Sequence, residues 1–272
     1  MTAKFPQLID SVIEIDERVA TLRLNRHDVR NALTGTSLVD DIITTTDWVN
    51  RNTEISALIL TGEGSAFSAG GNVKDMRDRQ GTFGGNVQQV QDNYRQSIQR
   101  MPLAITKTEV PIIAAINGPA IGAGFDLACM CDLRIASSEA IMGETFINLG
   151  IIPGDGGAWF LQRLIGYQRA AELTFTGRII QAKEALELGI ILNIFKPQDL
   201  LAEAMNLAQS IAAKPPHAVR FTKRLMQTAQ RQELPDFLDL CALFQGICHN
   251  TEDQLEAVNA FLEKRDARYG DS

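Results

Sequence analysis

Short apolar runs separated by polar, glycine-containing stretches dominate the first two thirds of the chain. A strand buried on both faces is a continuous apolar run, and a strand buried on one face alternates apolar with polar residues. By these rules, strands are predicted at residues 12–15, 19–24, 57–61, 112–116 and 133–136. Helical periodicity predicts helices over 36–50 and 86–106 and from about residue 158. Strands that alternate with helices indicate an α/β fold.

The last third of the chain is helical in pattern throughout. Its predicted helices are 181–188, 200–213, 218–229, 235–248 and 251–265, with a break at Lys214-Pro215-Pro216. These helices are too apolar for a solvated appendage, so we expect them to pack against neighbouring subunits. The chain is accordingly divided into a core at 1–195 and a helical oligomerisation region at 196–272.

Glycine-rich loops follow three of the predicted strands. The first, 62–71, has the composition of a loop that carries function, and the polar segment 72–85 after it is predicted to be a mobile lid. The second follows the strand 112–116, and the third is 146–157. Three strand–loop–helix units indicate a repeating ββα arrangement, with the loops on one face.

The central stretch, 111–132, carries the clearest chemistry. A strand, a turn of small residues (Gly122-Ala123-Gly124) and a helix leave unpaired N–H groups at the helix start, where the helix dipole is positive. This arrangement can receive an anion or an oxyanion, and Asp126 lies beside it in the first turn. The stretch is not a dinucleotide fingerprint, because the third glycine is missing, nor a phosphate loop, because no Gly-Lys-Ser/Thr follows.

Composition argues against several classes of function. A net charge of −7 disfavours a nucleic-acid partner. No apolar run resembles a signal peptide or reaches membrane-spanning length, so we expect a soluble, cytoplasmic protein without a membrane partner. The three histidines lack metal-ligand spacing, and no metal site is predicted. Cys129 and Cys131 lie in an apolar helical run and are predicted to be buried thiols.

Three segments together resemble the crotonase, or enoyl-CoA hydratase/isomerase, superfamily. They are 65–73 (SAFSAGGNV), 117–132 (NGPAIGAGFDLACMCD) and 150–157 (GIIPGDGG). Their order and spacing match the family, as does the ending 261–265 (FLEKR), so the resemblance covers nearly the whole chain. It implies an α/β, crotonase-like spiral of ββα units with a helical C-terminal trimerisation region, assembled as a homotrimer or a dimer of trimers.

The resemblance also implies an acyl-CoA substrate, with no cofactor other than the coenzyme A that enters as part of the thioester. The family's oxyanion hole uses two backbone N–H groups, which fall on Gly71 and Ala123 here. They would hold the thioester oxygen as it gains enolate charge, at about 3–4 kcal/mol per donor. The positions that correspond to CoA contacts are Val29, Arg30, Ala69, Phe261 and Lys264.

The acid–base positions depart from the family's hydratases, which use two glutamates to place a water and move its proton. The first position carries Asp126, and the second falls on Phe146, which cannot transfer a proton. Asp155 lies in the loop where some family isomerases and dehalogenases carry a catalytic aspartate. Glu144, two residues before Phe146, is expected to be a surface charge at a strand edge.

We therefore expect Asp155, with Asp126, to serve as the acid–base residue beside a substrate pocket that Phe146 makes drier. A drier pocket raises the pKa of an aspartate and makes it a better base. The alternatives are a helix N-cap for Asp155 and a first-turn acid favoured by the helix dipole for Asp126. Hydratase, pure double-bond isomerase and non-catalytic acyl-CoA binding all stay open at this point.

Overall fold

The strands of the computed structural model, which describes residues 5–269, form two sheets. The strands are β1 (Ser11–Asp16), β2 (Val19–Leu24), β3 (Ala57–Gly62), β4 (Ile112–Ile116), β5 (Ala120–Ile121), β6 (Leu133–Ser137), β7 (Ile141–Gly143), β8 (Ile180–Gln181) and β9 (Ile194–Phe195). The large sheet has the order β1-β2-β3-β4-β6-β9 and is parallel except for the β1–β2 pair. The small sheet has the order β5-β7-β8, with β5 parallel to β7.

Helices follow the strands and then form the C-terminal part of the described chain. They are α1 (Leu38–Arg51), α2 (Val73–Asp78), α3 (Val87–Gln96), α4 (Arg100–Thr106), α5 (Ala123–Met130), α6 (Gly157–Ile165), α7 (Tyr167–Thr176), α8 (Ala182–Glu187), α9 (Leu200–Ala212), α10 (Pro216–Ala229), α11 (Leu234–Cys248) and α12 (Glu252–Glu263). Three 3₁₀ turns lie at His27–Val29, Gly81–Phe83 and Thr145–Leu149. No helix of residues 5–269 is both long and apolar enough to cross a membrane.

The predicted ββα repeat is present as a spiral that passes from the large sheet to the small one and then into a helix. One turn is β4-β5-α5, and the next is β6-β7 followed by α6. The preceding turn starts at β3, and Ser68 forms a parallel bridge to Ala120 of β5 before α2 begins. The loops of successive turns therefore meet along the small sheet.

The two faces of the large sheet are buried by alternate residues of the same strands. In β3, Leu58 and Leu60 belong to the main core, while Ala57 and Ile59 face a second apolar cluster. Helix α9 covers this second face and contributes residues that are almost fully buried. Burial on both faces explains why β3 and β4 are continuous apolar runs.

Helix α10 is tied to the core by two buried cations. The Arg220 guanidinium donates to the carbonyl oxygens at the end of α1 and just beyond it, those of Val49, Asn52 and Ile55, at 3.0–3.1 Å. Lys223 forms an ion pair of 2.7 Å with Asp132. A helix C-terminus favours a cation, because its last carbonyl groups lack partners.

Beyond α10, the helices keep large apolar side chains exposed. These include Leu234, Leu238, Leu243, Ile247, Leu255 and Val258. Such a surface supports the predicted packing against neighbouring subunits, and oligomerisation and the boundary at residue 196 stay predictions. The outer ends of the two predicted regions, 1–4 and 270–272, lie outside the described residues.

The predicted helix over 86–106 is wrong in its length, because the structure divides it into α3 and α4. The break falls at Ser97, whose backbone leaves the helical region (φ −115°, ψ −103°) and whose hydroxyl donates to the Asn93 carbonyl. Serine competes for backbone partners in this way and weakens a helix interior.

The predicted lid 72–85 contains α2 and one 3₁₀ turn, and its mobility stays a prediction.

Candidate active site

The first half of the candidate site is the start of α5, against which the loop 65–71 lies. The Ser68 N–H donates to the Pro119 carbonyl at 3.1 Å, and the Ile121 N–H donates to the Ser68 carbonyl at 3.0 Å. Gly70 has a φ of +78°, and a Cβ there would lie 3.0 Å from the Ala123 nitrogen. The next residue along the loop, Gly71, is thereby brought beside the first turn of α5.

Two backbone donors remain unpaired where the loop meets the helix. Ala123 is the first residue of α5, after Gly122 with φ +54°, so its N–H has no partner within the helix. Neither the Ala123 N–H nor the Gly71 N–H donates to any residue of the described chain. Both predicted oxyanion-hole donors are therefore free, and the helix dipole adds positive potential there.

The second half of the site is a cluster of three buried carboxyl groups, from Asp126, Glu144 and Asp155. Their residues are 0%, 1% and 2% exposed, respectively. Among residues 5–269, no hydroxyl, side-chain amide or cationic group donates to any of the six oxygens. The Asp126 carboxyl is within hydrogen-bonding range of both other carboxyl groups. Because buried carboxyl groups without donors are rare and costly, this cluster is a candidate for function.

Three separate elements bring the carboxyl groups together. Asp126 lies in the first turn of α5, and its carboxyl packs directly on Gly157, where a Cβ would overlap it. Glu144 directly follows β7, and the expectation that it is a surface charge is wrong because it is buried. Asp155 does not cap α6, whose N-cap is Gly156 and has no side-chain cap. The N-cap alternative for Asp155 is therefore wrong as well.

Burial raises the pKa of each carboxyl group, and repulsion between charges adds to the shift at Asp126 and Glu144. Burial raises the pKa of Asp126 well above its ordinary value, and the charges of Asp155 and Glu144 raise it further. Burial also raises the pKa of Asp155, and it raises the pKa of Glu144 to about 7, while hydrogen bonds with Asp126 partly offset both shifts. We expect the cluster to hold a proton at neutral pH, and the hydrogen bonds that link Asp126 to Glu144 and Asp155 favour Asp126 as its donor.

Phe146 lies beside the first half of the site, and an apolar cavity approaches both halves through Met76, which adjoins Gly71, and Tyr94, which adjoins Gly154. A Cβ on Gly122 would lie 3.6 Å from the Phe146 Cζ, so this ring borders the start of α5. A cavity of 680 Å³ lies between α2, α3 and the loop after β7. Its lining includes Val73, Met76, Phe83, Val90, Tyr94 and Ile151. The predicted lid segment thus forms a wall of this cavity.

Comparison with known proteins decides the family. The family model described as Enoyl-CoA hydratase/isomerase matches residues 14–272. The chain belongs to the enoyl-CoA hydratase/isomerase family. The short-chain-enoyl-CoA hydratase of Clostridium acetobutylicum is 35% identical over 262 residues, with 95% of this chain and 97% of that protein covered. The crotonyl-CoA hydratase of Syntrophomonas wolfei subsp. wolfei is 34% identical, with 95% and 96% covered.

Solved structures carry the same fold. The enoyl-CoA hydratase of Bacillus anthracis superposes with a TM-score of 0.89 at 34% identity, covering 96% of this chain and 99% of that one. A putative enoyl-CoA hydratase of Streptomyces coelicolor A3(2) gives a TM-score of 0.90 at 30% identity, covering 98% and 96%. The predicted family, its crotonase-like fold and its hydratase/isomerase type of function are confirmed.

Three of the five residues predicted to contact CoA lie together in this family member. The Ala69 N–H donates to the Arg30 carbonyl at 2.9 Å, and Val29 directly precedes Arg30. The buried Asn31, which sequence reasoning missed, supports this arrangement. The Asn31 side-chain amide donates to the Ala66 backbone carbonyl at 2.9 Å, and the Asn31 backbone carbonyl accepts from the Ser68 hydroxyl at 2.7 Å.

The other two predicted CoA contacts lie elsewhere. Phe261 is 82% exposed near the end of α12, and Lys264 is the C-cap of that helix, with φ +55°. The described contacts do not bring either residue to Val29 or Arg30 within this chain. CoA binding by all five residues stays a prediction.

Further site features were missed at the sequence level. The contact of Asp126 with Gly157, the burial of Glu144 and the position of Tyr94 on the cavity wall all depend on packing between distant segments. Cys129 and Cys131 are buried free thiols, as predicted. Within 5–269, no group of three or more His, Cys, Asp or Glu residues could hold a metal ion.

Replacing Asp126 with Asn is expected to stabilise the fold at neutral pH. The pKa of Asp126 is raised on folding from 3.8, so above about pH 4 the folded state binds more protons than the unfolded state. The free energy of unfolding therefore falls as pH rises from this value through the folded pKa. Asparagine removes this penalty and can still donate to both carboxylates.

We expect the Tm of Asp126→Asn at about pH 7.5 to exceed that of the wild type by about 2–4 °C, or about 1 kcal/mol. Scanning calorimetry between about pH 4.5 and 8 should also show a weaker pH dependence in the variant. A variant that is less stable than the wild type at the upper end of this range would mean that Asp126 is ionised and stabilising there.

Proposed function

We propose that the protein is an enoyl-CoA double-bond isomerase that acts on acyl chains longer than four carbons. The observation that carries this proposal is the dry carboxyl cluster of Asp126, Glu144 and Asp155. It supplies a base of raised pKa close to two free backbone donors. It requires no cofactor beyond the CoA of the substrate.

The surroundings of the cluster favour isomerisation over hydration. Hydration consumes a water that must be held and deprotonated, and an ordered water needs about two to four polar partners. Phe146 supplies an apolar ring beside Gly122 and no such partner. A double-bond shift needs only one group that moves a proton between two carbons.

The proposed reaction starts from a 3-enoyl-CoA. The Asp155 carboxylate takes a proton from C2, and the electron pair moves into a dienolate whose charge rests on the thioester oxygen. The Gly71 and Ala123 N–H groups donate to that oxygen, and electrostatic stabilisation of this kind is a major source of catalysis. Asp155 then returns the proton to C4, which leaves the double bond between C2 and C3.

Asp126 and Glu144 have supporting roles in this proposal. Asp126 keeps its proton and donates a hydrogen bond toward Asp155, which limits the repulsion between the carboxyl groups. Glu144, with a pKa raised to about 7, accepts a hydrogen bond from Asp126, and its own ionisation sets the charge of the cluster. Two or more carboxylates could also activate a water, so hydration by this cluster is the second candidate function.

The cavity supports an acyl chain of more than four carbons. Its 680 Å³ lies within the range of about 300–1,000 Å³ that is typical of ligand sites. A four-carbon chain would therefore fill only a small part of this mainly apolar space.

Product analysis in heavy-oxygen water tests the proposal. The wild type is incubated with 3-enoyl-CoA and with 2-enoyl-CoA of four, eight and twelve carbons, and products are followed by mass spectrometry. We expect a shifted double bond without heavy oxygen, and a higher kcat/KM for the longer chains. Heavy oxygen in the product would establish a hydratase, and tight binding without turnover would establish an acyl-CoA-binding protein.

A further inference from the structure

Tyr94 of α3 occupies a position that joins the cavity to the Asp155 loop. The half-buried ring rests on Gly154, where a Cβ would lie only 2.8 Å from the Tyr94 Cε1. The ring of Phe83 meets it edge-on, with the centroids 6.2 Å apart and the planes at 69°. Gln99 fixes the same loop by donating to the Gly154 carbonyl at 2.7 Å. The ring is therefore held in place on two sides.

The hydroxyl of Tyr94 is not needed for this packing. A phenylalanine would make the same ring contacts, and the cavity around the ring is mainly apolar. A hydroxyl in such surroundings loses hydration unless it gains a hydrogen bond. The Tyr94 hydroxyl donates to no residue of the described chain. Burial, and then the charge of Asp155, raise the pKa of Tyr94, so the phenol stays protonated and its O–H is available as a hydrogen-bond donor.

We propose that Tyr94 is a positioning residue, whose phenol donates a hydrogen bond to the Asp155 carboxylate in the substrate complex and holds it toward the acyl chain. This inference rests on the proposed isomerase function. Gly154 directly precedes Asp155, so the ring lies one residue from the base. Catalytic hydrogen bonds are often long before substrate binds and tighten in the complex.

The hydrogen bond has a predictable effect on the titration of Asp155. The titratable groups that face this carboxyl are Asp126 of α5, Glu144 after β7 and Tyr94 of α3. Both carboxyl neighbours oppose ionisation of Asp155 when they are charged, whereas the phenol favours it. Loss of the phenol should therefore raise the pKa of Asp155 and move the acid limb of kcat/KM to higher pH.

The first test is Tyr94→Phe, which keeps the ring and removes the donor. We expect kcat to fall about tenfold with little change in KM, and the acid limb of kcat/KM to move up by about one pH unit. Tyr167→Phe is the matched control, because Tyr167 is 70% exposed on α7. The control should match the wild type in both measurements.

A second variant, at Gly154, disturbs the same proposed hydrogen bond between Tyr94 and Asp155 without removing the phenol. Gly154→Ala keeps the phenol but pushes the ring away, and the backbone of Gly154 does not require a positive φ. We expect the same fall in kcat and the same shift of the acid limb. The double variant should be no worse than either single variant, because both remove one interaction.

The outcomes separate the two proposals. Isomerisation by the wild type that is lost in Asp155→Asn but unchanged in Tyr94→Phe overturns the role of Tyr94 alone. Additive losses in the double variant would mean that Gly154→Ala acts on Asp155 directly, and an acid limb that does not move in Tyr94→Phe would then overturn the role of Tyr94. No isomerisation by the wild type overturns the proposed function and this inference with it.

Discussion

Asp155→Asn is expected to lower kcat/KM for double-bond transfer by about 10²–10⁴-fold, the contribution that is typical of a general acid–base residue. Asparagine has nearly the same size and polarity but cannot accept the C2 proton. The fold should survive, because the Asp155 carboxyl accepts no hydrogen bond from a cationic or hydroxyl group of the described chain. Steady-state isomerisation of an eight-carbon 3-enoyl-CoA, with the Tm as a check on folding, measures the effect.

The wild type should also lose activity as the pH falls. Asp155 acts as a base only when ionised, and burial raises its pKa above the ordinary value of 3.8. The acid limb of kcat/KM therefore lies above the pH at which an exposed aspartate titrates. The apparent pKa of this acid limb is expected to belong to the whole cluster, since Asp126 and Glu144 titrate together with Asp155.

Two companion variants make the result specific to Asp155. Asp199→Asn, at an exposed aspartate before α9, should leave kcat/KM unchanged. Glu144→Gln tests the alternative that Glu144, and not Asp155, carries the proton. We expect this variant to lose far less activity than Asp155→Asn. If Asp155→Asn stays within about threefold of the wild type while Glu144→Gln is inactive, then Glu144 carries the proton and the mechanism above is wrong.

The central element could be predicted from local sequence because its causes are local. The apolar run of β4 lies between Pro111 and Asn117-Gly118-Pro119, and the observed strand has the predicted limits. Small residues at 122–124 and the helix after them place Ala123 at the helix start. The free N–H there follows from helix geometry alone. The free Ala123 N–H was thus predictable before any tertiary contact was known.

The carboxyl cluster could not be predicted in the same way. Glu144 follows β7, a strand of three residues that pairs with two-residue strands on both sides. Segments so short carry no readable periodicity. The burial of Glu144 depends on α5 and on the loop before α6, which are separate in sequence. Resemblance placed Asp126 and Asp155 in the site, but their contact is a property of the packed structure.

Ala123→Pro is expected to lower kcat by about 10²–10³-fold, the cost of removing one oxyanion-hole donor, which corresponds to about 2.7–4 kcal/mol. Proline lacks the N–H but is well accepted at the first position of a helix, where that N–H has no helical partner. Gly122 has φ +54° and ψ −123°, the mirror image of an extended conformation, which suits a glycine before proline. The variant should therefore fold and lack one donor.

Glu252→Pro is the matched control for this substitution. Glu252 is the exposed first residue of α12, and Thr251 before it is extended. The control should keep wild-type kcat and Tm, which shows that proline at a helix start is harmless in this chain. Because the Ala123 N–H is proposed to act on the dienolate more than on the bound thioester, KM should change less than kcat. An Ala123→Pro variant that folds and keeps full kcat would exclude the start of α5 as the oxyanion hole.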